Sequence, residues 1–230
     1  MRLILKFRSL RYIPEDIFAN NFEVQGLIYK LLRGTRYEYL HDVQGFKFFC
    51  FSNVFRVNGL YHLIVSSPIN QLIRTLYYRL KTLDVLKLGR YEYIVDSVKR
   101  INNYVPNKFF RNSTPIILFH NQTRSNHCFS FKNDIISYDW FFNRLKDNAL
   151  KKYNAFYDDD YYFDDDLFRS FRFRKEVAVH SRKNGDEVIF IGSLWDELSV
   201  DLCKDNFRFY KFLFDTGVGE KNSAGFGMIQ

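Results

Sequence analysis

The hydrophobic pattern predicts an α+β chain made of two βαββαβ units in tandem. Three observations predict it. The order strand, helix, strand, strand, helix, strand can be read twice along the chain. The 230 residues suffice for two small domains. A polar stretch at 102–113, carrying Pro106, reads as a linker between the two.

The first unit opens on residues 2–9, where Leu3, Leu5 and Phe7 point one way and Arg2, Ile4, Lys6 and Arg8 the other. That is a half-buried strand with a basic outer face. Val24, Leu27, Ile28, Leu31 and Leu32 then recur at helical spacing, and Gly34 follows as C-cap. Residues 46–52 form a dense aromatic strand and residues 60–66 another, with an Asn58-Gly59 turn between them. Ser67-Pro68 supplies an N-cap and first-turn pair. The helix after it has the stripe Ile69, Leu72, Ile73, Leu76 and Leu80. Residues 85–88 and 91–98 return to strand. This is the order of a ferredoxin-like (RRM-like) domain, here at 1–101.

The second unit repeats the order without visible sequence repetition. Residues 115–120 read as a short strand. Residues 135–152 read as a helix through Trp140, Phe141, Leu145 and Leu150. Residues 171–180 and 187–193 read as a hairpin around Asn184-Gly185. Residues 200–214 contain a second helix, and 225–230 close the chain as a strand. The second ferredoxin-like domain therefore spans 114–230.

Composition narrows the partner. There are 34 Lys+Arg against 26 Asp+Glu, a net charge of +8, although one run (Asp158, Asp159, Asp160, Asp164, Asp165 and Asp166) is strongly acidic. The run reads as a solvated surface rather than an ion site. A basic field attracts polyanions, which makes nucleic acid the leading partner class. Aromatics reach 19%, with 26 Phe and 16 Tyr. Most of these rings read as core, and exposed ones beside Arg or Lys suit unpaired bases. No apolar run approaches the ~20 residues of a membrane span. The first sixteen residues have charges inside their apolar stretch and no small-residue cleavage site, so they do not read as a signal peptide. Cys50, Cys128 and Cys203 are odd in number and widely spaced. They fit neither a disulfide framework nor a Cys-paired zinc site, and point to a reducing cytoplasm.

The most informative motif is Gly217-Val218-Gly219-Glu220-Lys221-Asn222-Ser223-Ala224-Gly225-Phe226-Gly227. Glycines permit positive φ and close approach to a phosphate backbone, and successive N–H groups can form an anion nest. The segment is neither a Walker loop nor a dinucleotide fingerprint. A tail of the form G-x-G-x(5)-G-F-G closing a tandem ferredoxin-like chain resembles the CRISPR repeat-processing endoribonucleases. These are the sixth Cas family, within the RAMP superfamily. The N-terminal half agrees. Gln25-Gly26-Leu27-Ile28-Tyr29, then His41-Asp42-x-x-Gly45-Phe46-Lys47-Phe48-Phe49-Cys50-Phe51-Ser52, is similar to that family's first helix, loop histidine and second strand.

The resemblance implies a metal-independent endoribonuclease that needs no cofactor. It binds CRISPR repeat RNA as precursor and as mature guide RNA. In such a reaction the 2′-hydroxyl attacks the adjacent phosphate, leaving a 2′,3′-cyclic phosphate and a 5′-hydroxyl. By position, the family's tyrosine, histidine and lysine are Tyr29, His41 and Lys47. A loop imidazole titrating near neutrality suits proton transfer at either end of the bond. Asp42 is placed to orient it. Lys47, the one cation in an aromatic stretch, suits the crowded phosphate. Tyr29 positions the 2′-hydroxyl or the phosphate, or protonates the leaving group; these roles stay open. His62, His120, His127 and His180 read as non-catalytic.

For RNA contact the residues are Arg169, Arg172, Arg174 and Lys175, with Arg172 and Arg174 facing away from Phe171 and Phe173. Gly217, Gly219, Lys221, Asn222, Gly225 and Gly227 of the glycine-rich tail join them. The family also includes dimers and proteins that work with other CRISPR-associated proteins. The competing reading is a non-catalytic RNA-binding subunit of a CRISPR effector complex, which has no need of the Tyr29, His41 and Lys47 set. A generic RNA-recognition protein is disfavoured, because no K/R-G-F/Y RNP strand is visible.

Overall fold

A computed structural model describes residues 1–11, 20–102, 105–120, 128–132, 137–183 and 186–230. His127, the 121–126 loop, the Asn184-Gly185 turn and the start of the helical pattern at 135 lie outside the described residues. The chain divides into two units, Met1–Tyr104 with Ser223–Gly225, and Val105–Asn222 with Phe226–Gln230. Both are ferredoxin-like. Among the described residues no helix is long and apolar enough to cross a membrane.

In the first unit, β1 (Arg2–Ser9) buries Leu3, Leu5 and Phe7 completely, as its alternation predicts. Arg2 is a correction, being 5% exposed rather than part of an outer basic face. It sits at the sheet centre, where β1 pairs on both sides, Arg2 opposite Ser66 and Ile101. Helix α1 (Asn21–Leu32) starts three residues before its apolar stripe. The Asn20 side chain accepts from the Glu23 N–H at 3.0 Å, and Glu23 Oε2 accepts from the Asn20 N–H at 2.9 Å. This reciprocal box satisfies two of the helix's orphan donors. Replacing Asn20 by Ala is expected to cost about 1 kcal/mol, read as a lower urea midpoint at unchanged slope.

The aromatic stretch 46–52 contains only a two-residue strand, β2 (Cys50–Phe51). Phe48 has φ +53, and its carbonyl accepts from the buried Ser67 hydroxyl at 2.7 Å. A left-handed residue cannot continue a ladder, so Lys47 lies on an irregular segment rather than on a strand. Strands β3 (Phe55–Val57) and β4 (Leu60–Ser66) join through Asn58 and Gly59, both at positive φ, the conformation of a type I′ turn. Helix α2 (Asn70–Lys81) begins later than Ser67-Pro68 suggests. Ser67 Oγ still accepts from the Ile69 N–H at 3.1 Å, but the cap position is Ile69 and has no side-chain bond. Strands β5 (Val85–Leu88) and β6 (Tyr91–Ile101) end the unit.

The sheet order is β2-β4-β1-β6-β5, antiparallel throughout, with β3 also on β4. The first strand therefore lies between the third and the last, the split arrangement of a ferredoxin-like unit. β5 is an added edge strand.

The second unit is built on β8 (Ser170–Lys183) and β9 (Asp186–Ser199), a hairpin longer than the pattern predicts. The stretch read as a linker holds β7 (Phe109–Phe110), which pairs with β9. Residues 115–120 and 225–230 are not regular strands. Isolated bridges nevertheless join Asn112 to Ile229 and Ile116 to Ser193. Together with β8 on β9 they trace the same split order. Backbone bonds between Arg111 and Gln230, at 3.0 and 2.9 Å, close that edge. Gly225 (φ +85) and Gly227 (φ +70) bend the last segment out of a ladder. Helix α3 (Tyr138–Tyr157) has its N-cap at Ser137, and α4 (Phe207–Thr216) precedes the glycine-rich segment. Trp195, 1% exposed, packs on buried Phe141 and half-buried Phe142 and Phe173 at centroid distances of 5.1–5.5 Å, with the exposed Phe171 ring at 5.5 Å on its outer side. Much of the aromatic excess is spent in this interior.

Candidate functional site

Tyr29, His41 and Lys47 come from three elements of the first unit and meet. Tyr29 is on α1, one turn after Gln25, with its ring partly packed on the core. Phe49, 1% exposed, meets that ring edge-on at 6.2 Å. His41 ends a 3₁₀ turn, Glu38–His41, anchored by buried Leu40. Lys47 lies on the irregular segment before β2. Its ammonium donates to Tyr29 Oη at 3.0 Å and to the backbone carbonyl of His41 at 3.1 Å. The same Nζ stands 5.0 Å from the Tyr29 ring centroid. The Tyr29 and His41 rings meet edge to face at 5.2 Å.

The imidazole is open, its side chain 66% exposed, and its Nδ1 lies 2.5 Å from Asp42 Oδ1. With Nδ1 so engaged, Nε2 is the nitrogen left to exchange a proton with a ligand. Lys47 spends two of its three N–H groups on the scaffold. Tyr29 accepts from Lys47, and its own O–H remains a donor. The cluster thus offers an imidazole, a phenol and an ammonium within one residue's reach of each other.

Two contacts nearby were not foreseen from the sequence. Gln25 Nε2 donates to the Ser223 carbonyl at 2.7 Å. A Cβ added at Gly225 would lie 2.4 Å from Phe51 Cε2. Residues 223–225 of the glycine-rich segment thus rest on α1 and β2 of the first unit. The signal was present in the sequence: Gln25 stands one helical turn before Tyr29 on the same face.

The rest of that segment serves the interior of the second unit. Gly217, Gly219 and Gly227 are buried there, as Gly225 is against Phe51. The N–H groups of Gly217 and Gly227 donate to the carbonyls of Leu213 and Pro115 at 2.7 and 2.8 Å. A Cβ at Gly227 would come within 1.8 Å of the Val218 carbonyl oxygen. These glycines answer to close packing at positive φ, not to an open anion nest. Asn222 is internal as well, donating to the Val218 and Phe226 carbonyls at 3.0 and 2.9 Å. Lys221, at φ +56, is the exposed member. Sequence reasoning also missed Lys152. It is only 2% exposed, and its Nζ donates to Gly217 O at 2.7 Å and Asn222 Oδ1 at 2.6 Å. Beside it Arg144 pairs with Glu220 at 2.7 Å, and burial raises the Glu220 carboxyl above its usual range.

On the basic strand Phe173 is half-buried but Phe171 is 41% exposed, and the arginines stay exposed while facing carboxylates. Phe171 packs on Phe142 at 4.3 Å and Phe173 on Trp195 at 5.2 Å. Arg169 binds both oxygens of Asp201, at 2.9 and 3.0 Å. Arg172 lies 4.0 Å from Asp196 and 3.8 Å from Glu197, and Arg174 lies 3.9 Å from Asp196. Lys175 is exposed. Acids of β9 therefore offset the arginines of β8.

Residues 100–230 match the family described as CRISPR associated protein Cas6, C-terminal. A protein of Methanocaldococcus jannaschii, CRISPR-associated endoribonuclease Cas6 2, is 37% identical over 96% of this chain and 97% of its own length. A solved structure described as CRISPR associated protein Cas6 superposes with a TM-score of 0.72 at 25% identity, over 100% of this chain and 98% of that one. A RAMP protein described as binding different RNA substrates superposes at 0.75 with 18% identity, over 100% of this chain and 98% of that one, a likeness of fold.

Proposed function

As this chain belongs to the Cas6 family, we propose that it is an endoribonuclease processing CRISPR repeat RNA, and that Tyr29, His41 and Lys47 are its catalytic residues. The observation that carries the reading is the Lys47 ammonium, 3.0 Å from Tyr29 Oη and 3.1 Å from the His41 carbonyl, beside an exposed imidazole. The partner is the repeat RNA, first as precursor and then as mature guide. The three cysteines, none of them in a disulfide, suit a reducing cytoplasm.

The chemistry follows from what these groups can donate and accept. The ribose 2′-oxygen bonds to the neighbouring phosphorus and gives up its proton to a base. The 5′-oxygen of the next nucleotide leaves with a proton from an acid. The products are a 2′,3′-cyclic phosphate and a 5′-hydroxyl. His41 Nε2 and Tyr29 Oη fill the two proton-transfer positions in either assignment. Lys47, with an N–H to spare, stabilises the charge that grows on the non-bridging phosphate oxygens. This acid–base set is complete without a metal ion.

The test is a cleavage assay on the protein's own repeat RNA in EDTA. We expect one cut, an upstream fragment ending in cyclic phosphate, and a downstream fragment with a free 5′-hydroxyl. A requirement for divalent metal would remove this mechanism. Tight binding without cleavage would turn the chain into a carrier of guide RNA.

A further inference from the structure

Cations of this chain differ in how far they are already matched. The arginines of β8 face carboxylates of β9, as described above. The outer face of α2 is different. Its sequence, NQLIRTLYYRLK, holds three cations and no acid. Arg74, Tyr78, Arg79 and Lys81 are all exposed, Tyr78 at 60%. Arg100 of β6 reaches this face, its guanidinium 4.5 Å from the Tyr77 ring centroid and 5.8 Å from that of Tyr78. Lys81 Nζ stands 5.6 Å from the Tyr77 centroid. The two tyrosine rings meet at 5.3 Å, nearly perpendicular. Among the described residues no ion pair joins Arg74, Arg79, Lys81 or Arg100 to a carboxylate.

We infer that this face of α2 is a second RNA surface, which takes single-stranded transcript outside the cleaved repeat. The inference rests on the RNA-processing function proposed above. Four unmatched cations attract a polyanion and release its counterions on contact. An exposed tyrosine ring beside them gives an unpaired base a stacking platform whatever its sequence. Both features suit the variable stretches of a transcript, which cannot be read base by base. An acidic protein would satisfy the cations but would leave the ring without a reason. Helix α2 shares its layer with α1, which carries Tyr29. Its 12 residues extend about 18 Å.

Binding should be measured with two RNAs, both with a 2′-deoxyribose at the cleaved position. One is the minimal repeat; the other is the repeat with a single-stranded spacer extension. The extension is expected to tighten wild-type binding by about tenfold. In R74A/Y78A/K81A most of that gain should be lost, while cleavage of the unmodified minimal repeat keeps its wild-type rate. The salt slope for the extended RNA should fall by about 1.4, roughly 0.7 for each cation removed. Tyr78→Ala alone should lose part of the gain at an unchanged slope, which guards against a folding defect in the triple variant. No gain from the extension in the wild type, or an equal gain in the variant, overturns the assignment. So does a variant with unaltered RNA binding that stops associating with another CRISPR-associated protein. If the wild type shows the gain but cuts no repeat, the catalytic reading falls and this surface stands.

Discussion

His41→Ala is expected to slow repeat cleavage by about 10²-fold or more while leaving affinity for the repeat nearly unchanged. The imidazole side chain is 66% exposed and makes its one described polar contact with Asp42, so its removal opens no core cavity. The backbone carbonyl that receives Lys47 survives the substitution, and the ammonium keeps both of its anchors. Loss of rate can then be assigned to loss of proton transfer. Single-turnover rates at saturating RNA separate this from binding. Lys47→Ala should differ, because it removes the cation proposed to meet the phosphate together with the anchor of Tyr29, and so should lower affinity and rate. An unchanged rate in His41→Ala would return the histidine to a structural role and leave Tyr29 and Lys47 without a partner.

The first unit's frame was legible because each element buries one periodic face. Leu3, Leu5 and Phe7 at period two, and Leu72, Ile73, Leu76 and Leu80 at helical spacing, are buried as the pattern predicts. Failures came where backbone conformation outranks pattern. Residues 46–52 look like a strand, but a left-handed Phe48 breaks them. Residues 225–230 look like one too, yet two glycines at positive φ reduce them to a single bridge. The site divides the same way. Tyr29, His41 and Lys47 were singled out through motif positions around a helix and a loop, which survive errors in strand length, and they lie together in the structure. The carboxylates of β9 that face Arg172 and Arg174 were not legible, because they depend on a register with two irregularities. No local pattern reports which residue faces which across such a hairpin. The α2 cations drew no attention for a similar reason. Charge on a helix reads as solubility until the structure shows that, among the described residues, no carboxylate pairs with it.

The glycine-rich segment supplies the second large effect, because its glycines and Lys152 form one unit of structure. Lys152→Met keeps an unbranched apolar stem of nearly the same reach and removes the amino group. The carbonyl of Gly217 and the amide oxygen of Asn222 then lose a buried donor. A buried acceptor left unsatisfied costs roughly 1–3 kcal/mol, so the loss expected is about 3 kcal/mol. In a unit of this size that lowers the melting temperature by roughly 10 °C. The loss should not add to that of Asn222→Ala, since the Asn222 amide accepts from Lys152 and donates to Val218 and Phe226. In a double-mutant cycle the two losses should combine to clearly less than their sum. A lysine that merely fills space would instead leave Lys152→Met near wild-type stability, because a methionine of matching length packs as well in an apolar wall. The cycle therefore decides whether Lys152, rather than the glycines alone, holds the segment in place.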